Sequence, residues 1–154
     1  MFYSTHYLSP VGPLELICDG QALTELRPKP APVQWEQEDS LPIFTSVRNW
    51  LDAYFSGNPL PVDFPLAPAG TDFQKRVWSL LLTVPYGETA TYGQLARQLG
   101  KTMSPQAVGQ AVGRNPIGII IPCHRIVGAK GQLTGYAWGI EMKKWLLAHE
   151  EEQQ

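Results

Sequence analysis

Residues 91–125 read TYGQLARQLGKTMSPQAVGQAVGRNPIGIIIPCHR, and this stretch decides the fold of the second half of the chain. Thr91 followed by Gln94 is the pattern of a capping box, which predicts a helix over Tyr92–Leu99. A serine N-cap with proline at the first helical position predicts a second helix over Pro105–Gly113. Two helices joined by so short a turn have the proportions of a helix-turn-helix, whose second helix presents its N-terminal residues to DNA. Ordinary helix packing produces the same pattern, so the pair alone leaves both interpretations open.

The predicted second helix carries polar and small residues on its outward face. Gln106, Gln110 and Arg114 are polar, whereas Gly109 and Gly113 let another backbone approach closely. A helix that reads the major groove ordinarily presents several arginines to the base edges. The composition therefore favours close approach in a groove over base-by-base reading.

The end of the quoted stretch places a thiol beside an imidazole. Ile119–Ile121 predicts a short apolar strand or buried extended segment, and it leads directly into Cys123 and His124. A cysteine is mostly a thiol at neutral pH, so a reactive one needs a nearby base or positive charge. Adjacent side chains seldom meet, so a bridging water is expected, with Glu150 as a candidate to orient the imidazole. The alternative is a buried structural cysteine beside a structural histidine, which is the interpretation adopted for Cys18.

The first half of the chain predicts mixed α and β structure. Leu14–Cys18 and Ala22–Leu26 are two strands around a tight turn, and Pro42–Phe55 has the apolar stripe of a helix. Asn58–Gly70 contains four prolines, which exclude a helix and predict an extended linker. A proline-rich loop lies between the second strand and the helix, with prolines at Pro28, Pro30 and Pro32.

These elements define the predicted fold class and domains. In the second half, Thr71 caps a further helix, and a last helix covers roughly Ile140–His149 after a glycine-rich loop. The chain is therefore predicted to be an α+β protein with a small mixed α/β N-terminal domain over residues 1–67, ending in the linker. A mainly helical C-terminal domain with the helix-turn-helix follows over residues 68–154.

Charge and composition limit the classes of function. The net charge is −2, but its distribution is uneven. Before residue 71 the chain has three basic and eight acidic residues, and from residue 71 on it has nine basic and six acidic residues. A mildly basic second half permits DNA contact by that half alone. No apolar run is long enough to span a bilayer, and the N-terminus has no signal-peptide pattern. Two distant cysteines predict neither a disulfide framework nor a structural zinc site, so a cytoplasmic protein is expected.

Five segments carry a resemblance to a known family, over Val77 to Glu150. They are VPYGETATYGQLA, AVGQAVGRNP, IPCHRIV, GYAWG and KKWLLAHE. The chain resembles here the catalytic domain of the O6-alkylguanine-DNA alkyltransferases, also called methylated-DNA–protein-cysteine methyltransferases. Residues before about 68 match that family only loosely, as an N-terminal companion domain.

The resemblance implies a function and a set of catalytic residues. It implies DNA repair by irreversible, single-turnover transfer of an alkyl group from O6-alkylguanine, and from O4-alkylthymine, to Cys123. His124 would take the thiol proton through a water, and Glu150 would orient that histidine. Asn115 would be the hinge before the active-site turn, and Tyr92 the phenol that assists base rotation and protonates the departing guanine.

The same resemblance implies the partners of the protein. Double-stranded DNA would bind through its minor groove, and the damaged base would flip out of the duplex into a pocket. No cofactor, metal ion, membrane or protein partner is implied, and a monomer is expected.

Arg125 is expected to stabilise the turn. The pocket would be lined by Tyr136, Ala137 and Trp138. The DNA-binding residues would be Gln106, Ala107, Gly109, Gln110 and Arg114.

Two positions depart from the commonest family pattern. Gln106 stands where many members have an arginine that fills the gap left by the flipped base, which predicts weaker DNA affinity with intact chemistry. Trp138 stands where members often have glycine, which predicts a narrower pocket that handles methyl better than benzyl groups. Ala137 also lacks the hydroxyl that some members carry.

Three other functions share some of these features. A Cys-His hydrolase would use the same thiol and base, but it would turn over and has no use for the helix-turn-helix. A non-enzymatic lesion-sensing relative lacks the acceptor cysteine, so Cys123 argues against it. A plain DNA-binding regulator would need base-reading side chains, which the second helix lacks.

Overall fold

The computed structural model describes residues 1–28, 36–37, 40–100, 102–133 and 135–152. The chain divides into two compact units, Met1–Ala69 and Gly70–Gln154. The fold is α+β, as predicted, with five α-helices and small sheets among these residues. In the part of the chain so described, no helix combines the length and apolar character needed to cross a membrane.

The first unit contains a four-stranded sheet. Its strands are β1 (Tyr3–Ser9), β2 (Gly12–Cys18), β3 (Leu23–Pro28) and β4 (Glu36–Gln37), in the spatial order β3-β2-β1-β4. The predicted strand pair corresponds to β2 and β3, which are antiparallel, whereas β1 was not predicted. Of the predicted proline-rich loop, Pro28 ends β3, and Pro30 and Pro32 lie outside the described residues.

Local side-chain contacts explain the turn and the extended segment of the first unit. Between β2 and β3, the Asp19 carboxylate accepts hydrogen bonds from the following backbone amides at 2.9 and 2.8 Å. The helix α1 (Pro42–Phe55) has the predicted bounds and contributes six buried side chains to the core. The proline-rich segment after it contains no helix, in agreement with the prediction. It pairs with the start of β3, where the Leu23 amide donates to the Pro65 carbonyl at 3.0 Å and the Ala67 amide donates to the Leu23 carbonyl at 2.8 Å.

The second unit is mainly helical. Its helices are α2 (Asp72–Leu81), α3 (Tyr92–Leu99), α4 (Pro105–Gly113) and α5 (Ile140–Glu152). The starts of α2 and α3 carry the predicted capping boxes, and Ser104 caps α4. Two short parallel strands, β5 (Ala90–Thr91) and β6 (Ile126–Val127), complete this unit. The last helix is longer than predicted, because it continues past His149 to Glu152.

The expectation of a strand or extended segment over Ile119–Ile121 was wrong. These residues form a buried turn, in which the Ile121 amide donates to the Ile117 carbonyl at 3.1 Å. Ile119 has a φ of +67°, a left-handed conformation that costs a β-branched residue about 1–3 kcal/mol. An apolar run reports burial but not backbone direction, so its sequence does not distinguish a buried turn from a buried strand.

Candidate active site around Cys123

Cys123 is presented by a short 3-10 turn at the centre of the second unit. The turn covers Cys123–Arg125 and leads directly into β6. The Cys123 amide donates to the Ile121 carbonyl at 2.8 Å, and the Ile126 amide donates to the Cys123 carbonyl. The residue is 8% exposed, so the thiol lies in a fixed, nearly closed position with limited access from outside.

Asn115 ties the end of α4 to this turn. Its side-chain amide donates to the Ile121 carbonyl at 2.8 Å and to the Ile117 carbonyl at 3.2 Å. Its side-chain oxygen accepts from the Ile117 amide at 3.0 Å. The carboxamide thus satisfies backbone groups that the irregular turn leaves without sheet or helix partners. Asn115 therefore connects the end of α4 to the turn that precedes Cys123.

The surroundings of Cys123 act on its ionisation in opposite directions. Burial raises the pKa of the thiol, while a hydrogen bond from Asn115 and the positive charge of Lys143 lower it. The net direction is upward, so the resting group is a thiol that needs a base to become a nucleophile. The ammonium of Lys143 is buried and donates to the Ile126 carbonyl at 2.6 Å.

His124 is a buried neutral imidazole next to the thiol. Burial lowers its pKa, although the hydrogen bond and the charge of Glu150 act against this. Its Nε2 lies 2.5 Å from the Glu150 carboxylate. Its Nδ1 is buried and has no hydrogen-bond partner among the described residues. The carboxylate therefore fixes the ring through Nε2 and leaves Nδ1 as the nitrogen that can accept a proton.

Glu150 is held by two more elements of the unit. Arg125 donates to its carboxylate at 2.8 and 3.1 Å, and the Gly87 amide donates at 3.1 Å. Burial alone would raise the pKa of Glu150, but His124 and Arg125 lower it to about 2. Arg125 also donates to the Val84 carbonyl at 2.8 Å. These contacts fit the expectation that Arg125 stabilises the turn.

The glycine-rich loop brings two aromatic side chains near the turn. The rings of Tyr136 and Trp138 lie 6.0 Å apart in an edge-to-face arrangement. The indole of Trp138 packs directly on the backbone of Gly118. The contact is so close that a Cβ atom built on Gly118 would lie 2.3 Å from the indole. Burial, together with the charges of Cys123 and Glu150, places the pKa of Tyr136 well above its usual range.

Tyr92 lies between the same loop and α4. A Cβ atom built on Gly109 would lie 3.7 Å from its ring, and one built on Gly135 would lie 3.4 Å from its hydroxyl. Of the predicted DNA-binding residues, Gln106, Gln110 and Arg114 are exposed, whereas Ala107 and Gly109 are half-buried. A cavity of about 260 Å³ separates α4 from the start of α2. It is lined by Thr71, Phe73, Gln74, Ala107, Gln110, Ala111 and Arg114.

The structure therefore joins some predicted site residues directly and leaves others apart. Asn115, Cys123, His124 and Glu150 form one connected cluster, while Gln106, Gln110 and Arg114 of α4 are exposed on the surface. Lys143 is a member of the cluster that sequence reasoning missed. A lysine on a helix is ordinarily exposed, so nothing local in the sequence marks it. No cluster of three or more potential metal ligands occurs among the described residues.

Two family models match this chain, one over each half. The family model described as 6-O-methylguanine DNA methyltransferase, DNA binding domain, matches residues 72–152. The model described as 6-O-methylguanine DNA methyltransferase, ribonuclease-like domain, matches residues 1–68. Each half of the chain therefore matches a domain of one family.

Individual relatives lead to the same family. A methylated-DNA–protein-cysteine methyltransferase of Mycobacterium tuberculosis is 47% identical and aligns with 93% of this chain and 88% of its own length. One from Methanosarcina acetivorans is 42% identical, with 96% of each chain covered. The crystal structure of M. tuberculosis OGT in complex with DNA superposes with a TM-score of 0.87 at 44% identity, covering 99% of this chain and 93% of that one. The resemblance seen in the motifs is confirmed, and the chain belongs to the 6-O-methylguanine DNA methyltransferase family.

Proposed function

We propose that this protein repairs alkylated DNA by moving an alkyl group from O6-alkylguanine, or O4-alkylthymine, onto the sulfur of Cys123. The observation that carries the proposal is the buried cluster in which Glu150 holds Nε2 of a neutral His124 beside a protonated thiol. A neutral imidazole with one nitrogen fixed is equipped to take a proton from a neighbouring thiol. The buried arginine keeps the orienting carboxylate ionised throughout.

The transfer is an in-line displacement at the alkyl carbon. His124 removes the thiol proton through a water, and the Cys123 thiolate attacks the carbon as the bond to the base oxygen breaks. The electron pair of the broken carbon–oxygen bond leaves with the guanine, to which Tyr92 supplies a proton. The His124 imidazolium then returns a proton through water to the Tyr92 phenolate. The net result is transfer of the thiol proton to guanine and formation of a thioether on Cys123. The cluster contains no second nucleophile that could break the carbon–sulfur bond, so each molecule reacts once.

The DNA would be bound by residues 68–154, with α3 and α4 as a helix-turn-helix. A base inside a duplex is out of reach, so the lesion is rotated out of the stack at a cost of a few kcal/mol. Ala107 and Gly109 allow α4 to lie close in the minor groove, where little sequence is read. Tyr136, Ala137 and Trp138 would form the pocket for the rotated base. In this scheme residues 1–67 are a companion domain.

The proposal is tested by reacting the wild-type protein with an excess of duplex carrying O6-methylguanine. We expect the tryptic peptide that contains Cys123 to gain one methyl group, with one lesion consumed per chain. A Cys-His hydrolase would instead turn over on an ester or peptide substrate and leave this peptide unchanged. Continued lesion removal beyond one per chain would also contradict the proposal.

Replacing Gln106 tests the predicted weakness of DNA binding. The side chain is exposed near the start of α4, where a guanidinium could stack in the gap left by the base. We expect Gln106→Arg to tighten duplex binding by roughly ten-fold, because it adds a charge and a planar donor. Fluorescence anisotropy with labelled duplex measures this. Gln98→Arg adds the same charge to an exposed site on α3 and should gain much less. Unchanged DNA affinity and repair rate in Gln106→Arg would refute the prediction that Gln106 weakens DNA binding.

Trp138 is expected to restrict the size of the transferred group. Its indole packs between Gly118 and Tyr136, so it cannot easily withdraw from the pocket wall. We expect the wild type to transfer methyl at least about ten-fold faster than benzyl, and Trp138→Gly to reduce that ratio. Single-turnover rates on duplexes with the two lesions measure it. Trp145→Ala, an exposed position on α5, is the control and should keep the wild-type ratio. Equal wild-type rates with both lesions would be evidence against this restriction.

A further inference from the structure

The chain makes a tight turn with positive φ shortly before Cys123. The Ile120 amide donates to the Gly118 carbonyl at 2.7 Å, which closes a three-residue turn around Ile119. Ile119 has a φ of +67°, as in the rare form of the γ-turn. A wider hydrogen bond, from the Ile121 amide to the Ile117 carbonyl at 3.1 Å, encloses this turn. The direction of the chain ahead of the thiol is therefore set at Ile119.

A second three-residue turn follows immediately and ends on the thiol. Pro122 has φ −81° and ψ 65°, and the Cys123 amide donates across it to the Ile121 carbonyl at 2.8 Å. The same carbonyl accepts the Asn115 side-chain amide at 2.8 Å. One oxygen atom thus links the Asn115 carboxamide to the backbone of Cys123. Its position depends on the turn at Ile119.

Ile119 is an unexpected residue for that conformation. Every other residue with positive φ in the described ranges is a glycine, which adopts it without steric cost. A β-branched residue is disfavoured there, and it persists only where its surroundings fix it. The Ile119 side chain is fully buried, so its packing supplies that constraint. The sequence retains a large side chain where glycine would be the relaxed choice.

We propose that Ile119 is a positioning residue for alkyl transfer: its buried side chain holds the left-handed turn that fixes the Ile121 carbonyl, and with it the Asn115 carboxamide and the backbone of Cys123. This inference rests on the proposed function, since it assigns Ile119 a part in that reaction. The position of Asn115 has a chemical effect, because Asn115 lowers the pKa of the Cys123 thiol against the effect of burial. A loosened turn would release Asn115 from this position and leave the thiolate harder to form.

Two substitutions separate the side chain from the backbone conformation. Ile119→Gly permits the positive φ but removes the packing, whereas Ile119→Val keeps the β-branch and most of the volume. Three quantities are measured: the single-turnover rate of methyl transfer on saturating duplex, the dissociation constant for undamaged duplex, and the pH midpoint of Cys123 carboxymethylation by iodoacetate without DNA. Leu81→Ala on α2 is the matched control, because it removes another fully buried side chain of the same unit.

We expect Ile119→Gly to slow transfer at least about ten-fold and to raise the carboxymethylation midpoint by about one pH unit. Its DNA affinity should stay within about two-fold, because phosphate and groove contacts lie elsewhere. Ile119→Val should stay close to wild type in all three quantities. Leu81→Ala should lose stability but keep both rate and midpoint. If circular dichroism shows Ile119→Gly to be unfolded, Ile119→Ala replaces it with the same expected directions.

Several results would overturn the inference. The first is a wild-type transfer rate and a wild-type carboxymethylation midpoint in Ile119→Gly or Ile119→Ala. The second is a slower transfer rate in these variants without a shifted midpoint. The third is a loss of transfer rate in Leu81→Ala as large as that in Ile119→Gly. Failure of the proposed function is distinguishable, because it would appear as no methyl gain in the wild type. The carboxymethylation midpoint needs no DNA and no alkyl transfer, so it reports on the turn in either case.

Discussion

Cys123→Ala is expected to abolish methyl transfer completely while leaving duplex binding within about two-fold of wild type. The sulfur is the proposed nucleophile, and no neighbouring side chain in the cluster can take its place. The thiol is small and largely buried, so its removal leaves little empty space and should keep the fold. The measurements are the mass of the active-site peptide after reaction with O6-methylguanine duplex, and binding anisotropy on the same duplex.

The second cysteine of the chain supplies the matched control. Cys18 is fully buried, but it lies in β2 of the first unit, where the Gly20 amide donates a hydrogen bond to its sulfur. Cys18→Ala should therefore transfer methyl at the wild-type rate. Methyl transfer by Cys123→Ala, or its loss in Cys18→Ala with the fold intact, would show that the acceptor has been assigned to the wrong residue.

Glu150→Gln is expected to reduce both the rate of transfer and the stability of the protein. The substitution keeps the shape but removes a buried charge that His124 and Arg125 contact. Breaking a buried ion pair by removing one partner costs about 3–5 kcal/mol, because the other charge is left without compensation. The loss of an oriented imidazole should slow transfer at least about 100-fold. Urea unfolding and single-turnover kinetics measure the two effects.

An exposed carboxylate on the same helix is the control for Glu150. Glu141 forms a pair with Lys144 at 3.6 Å, and its side chain is 91% exposed. Surface pairs of this kind contribute about 0–1 kcal/mol, so Glu141→Gln should leave rate and stability close to wild type. A Glu150→Gln protein with wild-type rate would remove this carboxylate from the proposed mechanism, whatever its stability.

The ionisation of Glu150 also predicts how stability depends on pH. Folding lowers its pKa from the usual 4.5 to about 2, so the unfolded chain binds more protons between these values. The contribution of this carboxylate is therefore complete above about pH 4.5 and is lost as the pH falls towards 2. The free energy of unfolding of Glu150→Gln should decline less steeply over that range than that of wild type. Parallel declines would contradict the lowered pKa.

Much of the second unit could be predicted because its signals are local. Thr71, Thr91 and Ser104 cap helices through bonds to amides three residues away, which the sequence displays directly. The strand β1 lacked such a signal. Two of its buried residues are Ser4 and Thr5, whose environment is set by neighbouring strands rather than by their own polarity.

The cluster around Cys123 was predictable only in its membership. Two motifs identified its residues: the one around Cys123 and the segment KKWLLAHE, which ends at Glu150. Motifs can do this because a family resemblance preserves the order of residues along the chain. Their geometry comes from contacts across long separations, such as Arg125 with Glu150, 25 residues apart. Lys143 and Ile119 were missed, since burial of a helix lysine and a positive φ at isoleucine both depend on the packed interior.

By itself, then, the sequence determined the helices, their caps, the family and the residue proposed as the nucleophile. Each of these is encoded in bonds a few residues long or in a contiguous motif. Tertiary structure alone decided that the isoleucine run is a turn, that Nδ1 of His124 is the available nitrogen, and that Glu150 stays ionised when buried. The physical reason is that direction, tautomer and charge state depend on which distant groups surround a residue, and only the folded chain brings those groups together.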